Sequence, residues 1–317
     1  MNKSSTFLRG LLGGLTLVGL VVACYKYLDA RAMWEAWERF SWSTWGLFLI
    51  LPVFYLGFKA YRFSLLLEPI SSASKSAVMT GYASSQAASL LPGGVAMRAA
   101  MMHRLGVPVE KSSGPVLANS AADQLLLLAV GLGLCYYYPE MRTSAFGLTG
   151  LLLFLIAVLG VKTSRDWVCS RLRKAAKRIG QEEKLEKFFR TVPYLCDFEL
   201  FGKTMFWTVL ANLVSVLTLV AVVYSLDLPV DLWALTAAFV IPNLLGRLSP
   251  LPAGAGVVEA GMVGFLAAQT SMSPDQAAVV TVLFRVVDVL MPALYGALCH
   301  MLLMPTDDEV KECKVAS

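Results

Sequence analysis

Neither H-E-x-x-H, G-x-S-x-G, a P-loop nor a clustered-carboxylate motif occurs in this chain. Metalloprotease and serine-hydrolase chemistry lose their signatures, and no nucleotide site is present to drive primary transport. The expectation is therefore a protein without catalytic residues. Histidine is scarce: His103 and His300 are the only two, far apart, so neither a metal nor a cofactor is expected. Six cysteines (Cys24, Cys135, Cys169, Cys196, Cys299 and Cys313) show no C-x-x-C spacing, which reads as free thiols. Charge is also sparse. Only 15% of residues are charged against 57% hydrophobic, with a mean hydropathy of +0.63, and this excludes an ordinary soluble domain. The formal charge of +5 calls for no nucleic-acid partner, because much of the excess lies in residues 162–203. By the positive-inside rule that loop is cytoplasmic.

What is present is a set of long apolar runs. Continuous segments near residues 8–28, 45–67, 114–138, 144–161, 204–226 and 276–303 are each long enough to cross a bilayer. The first follows Lys3 and Arg9 and ends on a lipoprotein-like Val21-Val22-Ala23-Cys24, yet it is long enough to stay as an anchor. These six predicted transmembrane helices make an all-α polytopic membrane protein. Two further stretches, 76–105 and 232–270, are interrupted by the loops Leu91-Pro92-Gly93-Gly94-Val95-Ala96-Met97-Arg98 and Leu251-Pro252-Ala253-Gly254-Ala255-Gly256-Val257-Val258-Glu259. From Ser76 to Leu91 a helix would extend about 24 Å, short of a hydrocarbon core of roughly 30 Å. Thr80, Ser84, Ser85, Gln86 and Ser89 suit burial against other helices. Both stretches read as re-entrant helical hairpins, because broken backbone at membrane depth needs cover from protein or a water-filled cavity.

A single transmembrane domain, 1–317, follows. Residues 1–44 form an N-terminal helix and outer interfacial segment, 45–161 a first repeat, 162–203 the basic loop, 204–303 a second repeat and 304–317 a tail. With the basic loop inside, both termini are cytoplasmic, Trp34, Trp37, Trp42 and Trp45 reach the outer interface, and Lys59 and Arg62 lie near the inner end of the 45–67 span. The chain crosses the membrane an odd number of times between the starts of the two units, so the repeats have inverted topology and their hairpins open to opposite faces. Such repeats exchange inward-open and outward-open forms around a site near the midplane.

The Pro-Gly-Gly loop with Arg98 and then Asp123, and the Pro-x-Gly-x-Gly-Val-x-Glu element ending at Glu259 with Arg285 beyond it, resemble the lysylphosphatidylglycerol synthase transmembrane region, also called the flippase-like family. The resemblance covers roughly residues 10–300. It implies movement of lipids between leaflets, including aminoacylated phosphatidylglycerol or polyprenyl-phosphate glycolipids, in a prokaryotic cytoplasmic (inner) membrane. Members with an aminoacyl-transferase carry it as a soluble C-terminal domain; this chain, ending at Ser317, is expected to lack it.

An ionised side chain in the bilayer core is costly, so each one is expected to be paired, water-facing or functional. Arg98 stands one turn past the first break, fit either for a lipid phosphate or for a structural bond to Asp123 or a loop carbonyl. Arg285 is a second phosphate candidate, with Asp288 or Glu259 as the alternative structural partner, and Arg247 precedes the second break. Pro92, Gly93, Gly94, Pro252, Gly254 and Gly256 shape the two loops around the substrate, and Asn119 and Asn243 are candidate cavity linings. Glu259, Asp123, Asp288 and His103 are candidates for coupling or charge pairing. The stretch from Arg171 to Arg190 mixes basic and apolar residues, as a helix lying on anionic inner-leaflet lipids would. Gly10-x-x-x-Gly14 offers a homodimer contact. The residues point to a transporter for an anionic or zwitterionic lipid headgroup. The competing classes are an intramembrane lipid phosphatase or headgroup transferase, and an assembly partner of a separate synthase.

Overall fold

The computed structural model describes residues 41–88, 94–134, 137–138, 150, 170–171, 197–248, 254 and 256–303. Among these there are helices and no strand. Four helices are long and apolar enough to cross a membrane. The first is α1 (Trp42–Leu67), started by Ser41, whose hydroxyl accepts from the Thr44 N–H. Two short helices follow, α2 (Lys75–Ser85), extended by a 3-10 turn at Gln86–Ala88, and α3 (Gly94–Arg104). At 11 residues apiece, each covers about 16 Å at helical rise, half a hydrocarbon core. Gly106, at φ 82°, then closes α3: the Gly106 and Val107 amides return to the carbonyls of His103 and Met102.

The second span is α4 (Val109–Leu134) and the third α5 (Phe198–Ser225), capped by Asp197 on the Leu200 amide at 2.9 Å. Then come α6 (Leu232–Leu248) and α7 (Val257–Gln269), both short of a span, and α8 (Pro274–Arg285). A π-helical turn at Val286–Leu290 joins α8 to α9 (Met291–Leu303), and the whole of Pro274–Leu303 is the fourth span. Start signals are local here too: Ser273 and Gln276 form a reciprocal capping box, with Pro274 in the first turn.

The predicted spans 45–67, 114–138, 204–226 and 276–303 thus correspond to α1, α4, α5 and α8–α9; α4 begins earlier than expected, at Val109, and α5 at Phe198. The predicted spans 8–28 and 144–161, the basic loop to residue 196 and the tail from 304 lie outside the described residues apart from isolated positions.

Buried positions on α5 recur at helical spacing: Thr204, Thr208, Ala211, Ser215, Thr218 and Val222. Small side chains on one stripe let two membrane helices approach closely, and α1 packs there. Phe58 and Tyr61 of α1 meet Trp207 of α5, with ring centroids 5.4 and 4.8 Å apart. Around this pair, α2 and its 3-10 turn lie against α9, and α6 lies against α4. Two apolar cores result, one of α1, α2 and α3 with Val116 of α4 around Phe63, Tyr82 and Met102, the other of α4 to α8 with Phe48 of α1 around Leu235, Met262 and Phe284. Leu49, Ile50, Val53 and Phe54 on α1, and Leu213 and Leu217 on α5, face outward; such apolar surface belongs in lipid.

Candidate functional site

The two broken pairs meet the spans at ionisable side chains. In the second pair, Gly254 has φ 67° and Gly256 φ 83°, backbone that other residues rarely adopt. A Cβ on Gly254 would stand 2.8 Å from both the Cα and the carbonyl oxygen of Gly246, so α6 and this loop touch backbone to backbone. The Gly256 N–H donates to Glu259 Oε2 at 2.6 Å, and Glu259 Oε1 meets Arg285 Nε at 2.7 Å. One carboxylate therefore caps α7 and ties it to α8. Of the two partners open to Arg285 from the sequence, Glu259 is the one it takes.

Where α1, α4 and α5 meet, Arg62 is fully buried. Its Nε donates to Asn119 Oδ1 (2.9 Å), one terminal nitrogen to Asp123 Oδ1 (2.7 Å) and Thr208 Oγ1 (2.8 Å), the other to the Asn119 carbonyl (3.2 Å) and Asp123 Oδ2 (3.3 Å). A guanidinium has five N–H donors, and all five are used. Lys59, one turn earlier, stands 3.5 Å from Asp123 and donates to the Tyr55 hydroxyl at 2.6 Å. Asp123 thus serves two cations.

Of the structural partners open to Arg98 from the sequence, Asp123 is not the one it meets. On α3, Arg98 instead donates to Gln86 Oε1 at 3.0 Å, in the 3-10 turn across the break, and lies 5.0 Å over the ring of Tyr82. Its Nε is buried, and so is the Tyr82 hydroxyl; neither has a hydrogen-bond partner among the described residues. Tyr82 also lies within electrostatic reach of Lys59, Arg62 and Asp123, which joins the first break to the buried network.

Asp288 sits in the π-turn. Pro292 explains the turn: it has no N–H to give the carbonyl four residues back, which is that of Asp288, and its ring crowds the same carbonyl. Met291 reaches instead to the Val286 carbonyl, five residues back. The Asp288 carboxylate accepts from Ser215 Oγ at 2.6 Å, and it senses the charges of Lys59 and Arg285.

Of the remaining candidates, one lies inside this network and the others do not bond to it among the described residues. Asn119 belongs to it, through Arg62. Asn243 donates to the Phe239 carbonyl of its own helix at 2.7 Å. His103 is exposed at the end of α3. Gly94 is the buried first residue of α3, while Pro92, Gly93, Pro252 and the side chain of Arg247 lie outside the described residues. So do residues 172–190 of the basic stretch and the Gly10-x-x-x-Gly14 contact. Cys299 is a free thiol.

Lys59 and Arg62, read from the sequence as positive charges near the inner end of a span, prove to be buried and bonded, and that role the sequence reading missed. The signal was present, since two cations within one apolar helix invite the question of their partners. Thr208 and Ser215 gave no comparable signal, because hydroxyls of this kind occur throughout membrane helices.

The profile described as Lysylphosphatidylglycerol synthase TM region matches residues 9–296, nearly the whole chain. No curated protein matches the chain. The chain belongs to that family, as an integral membrane protein of lipid metabolism or transport.

Proposed function

We propose that this member of the lysylphosphatidylglycerol synthase transmembrane region family moves a phosphate-bearing lipid headgroup, anionic or zwitterionic, between leaflets while the tails stay in lipid, and leaves the lipid chemically unchanged. The observation that carries this reading is Arg98. Arg62 has every donor engaged, and Arg285 is ion-paired to Glu259, whereas Arg98 keeps a buried Nε without a partner among the described residues, beside the equally unpartnered Tyr82 hydroxyl. Unsatisfied buried donors are expensive to leave unmade, and a phosphate oxygen answers both.

The packing supports inverted repeats and alternating access. If α1, α2–α3 and α4 are exchanged with α5, α6–α7 and α8–α9, every major contact maps onto another: α1 with α2 onto α5 with α6, α3 with α4 onto α7 with α8, and α2 with α9 onto α6 with α4. The pair α1 with α5 maps onto itself. Asp123 and Asp288 also correspond, each fourteen residues beyond the start of its span. This reading places both termini in the cytoplasm of a prokaryotic cell and opens the α2–α3 and α6–α7 pairs to opposite faces.

The test is lipid exchange in vesicles reconstituted with purified protein and a tail-labelled fluorescent phosphatidylglycerol, followed by dithionite quenching from outside. The native chain should expose the inner-leaflet label, and Arg98→Gln should lose that exchange while melting normally. Exchange at the native rate in Arg98→Gln would remove the phosphate role. A new lipid species in the mass spectrum after incubation would instead favour the enzyme.

A further inference from the structure

The polar network is unevenly shared between two corresponding carboxylates. Asp123, on the span that closes the first half, has two bonds from Arg62 and Lys59 3.5 Å away, so two cations face one anion. Asp288, on the span that closes the second half, has one neutral donor, Ser215, and no ion pair among the described residues. Lys59 belongs electrostatically to both: it lies against Asp123, and its charge is felt at Asp288, where the π-turn packs on α1. Its hydroxyl partner Tyr55, one turn earlier on α1, likewise senses both carboxylates.

Arg62 alone can satisfy Asp123, since both carboxylate oxygens already accept from it. Lys59 is therefore the partner that can be spared, and a lysine ammonium on four methylenes is a mobile point charge where a guanidinium fork is rigid. Ser215 of α5 bonds Asp288, and the charged and titratable groups within electrostatic reach of it are Lys59 and Tyr55 from α1 and Arg285 from α8, the last already bonded to Glu259.

We propose that Asp288 is a proton-binding site that couples transport to pH, with Lys59 as its exchangeable counter-charge. The inference rests on the transporter reading above. With a proton, Asp288 is neutral, stays with Ser215, and leaves Lys59 on Asp123. When the proton leaves Asp288 as H⁺ to water, the bare carboxylate draws Lys59 across from α4 toward the α8–α9 span. The proton thus decides which half of the molecule α1 is tied to, and a switch of that kind is what alternating access requires. Glu259 is not the carrier in this scheme, because it is engaged on both oxygens as a helix cap and an ion pair.

The experiment separates this proposal from transport itself. Infrared difference spectra of the native protein in phosphatidylglycerol vesicles, recorded across a pH titration, should show a protonated-carboxyl stretch that Asp288→Asn abolishes and Asp123→Asn keeps. Asn retains an oxygen for Ser215, so Asp288→Asn should fold. In Lys59→Met the same band should persist to higher pH by at least about one unit, because the cation that favours the ionised form is gone. Lipid exchange measured on the same vesicles should depend on pH in the native chain and lose that dependence in Asp288→Asn. A titrating band that survives in Asp288→Asn, or a midpoint unmoved in Lys59→Met, would overturn the proposal. If the band behaves as expected but no lipid exchanges, the proton site stands and the transporter reading falls.

Discussion

Replacing Asp123 by alanine removes the carboxylate bonded to a fully buried guanidinium. Arg62 would keep Asn119 and Thr208 but lose the contacts at 2.7 and 3.3 Å, and Lys59 would lose its neighbour at 3.5 Å. Breaking a buried pair by deleting one partner leaves an uncompensated charge, a loss of about 3–5 kcal/mol. Two stranded cations put Asp123→Ala at the top of that range. Thr208→Val deletes one charge-assisted bond out of five and should lose about 1.5–3 kcal/mol. Lys59→Met leaves Asp123 with both Arg62 bonds and should lose less than either. The double variant Arg62→Leu with Asp123→Leu tests the reasoning most directly. Exchanging a whole buried ion pair for apolar side chains is often neutral, so it should be more stable than Asp123→Ala although it removes more bonds. The assay is unfolding of purified protein in mixed micelles with increasing dodecyl sulfate, followed by circular dichroism. A loss below about 1 kcal/mol in Asp123→Ala, the level of a surface ion pair, would refute the account of a saturated buried arginine.

Other expectations concern the breaks and the topology. Glu259→Gln keeps an oxygen for the Gly256 amide but drops the charge facing Arg285; with both side chains partly exposed, the loss should be only about 1–2 kcal/mol, checked in the same micelles. Gly254→Ala meets both a positive φ and the Gly246 backbone at 2.8 Å, and should lose at least about 2 kcal/mol in the same assay. A methyl at Gly296 would run into the Ala83 carbonyl and stand 2.9 Å from the Ala87 amide, so Gly296→Ala should push α9 off the end of α2 and lower the melting temperature. Single cysteines at Gly106 and Ser273 should label from opposite sides of the membrane; labelling from one side would refute inverted repeats. Pro292→Ala restores an N–H for the Asp288 carbonyl and should straighten the π-turn, which would shift the carboxyl stretch assigned to Asp288.

The helices were legible because their signals are local. Run length and composition mark α1, α4, α5 and α8–α9 as spans, and the Pro-Gly loops mark where α2–α3 and α6–α7 break, while the caps at Ser41, Ser74, Asp197 and Ser273 set starts that the apolar runs place a few residues late. The pairing of Glu259 with Arg285 was one of two open possibilities, because both acids lay within reach in sequence. What could not be read was which cation owns which anion. Arg62 meets Asp123 across 61 positions and Thr208 across 146, and neither separation leaves any periodic trace in the chain. Lys59 and Arg62 looked like interfacial charges because position along a helix says how far a side chain is from the end, not what packs beside it. Only the crossing of α1 with α4 and α5 buries them. The same crossing saturates Arg62, whereas Arg98 keeps a buried Nε without a partner among the described residues, so one arginine is a structural pin and the other a candidate phosphate ligand. Charges in a low-dielectric interior take their roles from the partners that tertiary packing brings within about 3 Å, and chain order does not encode that distance.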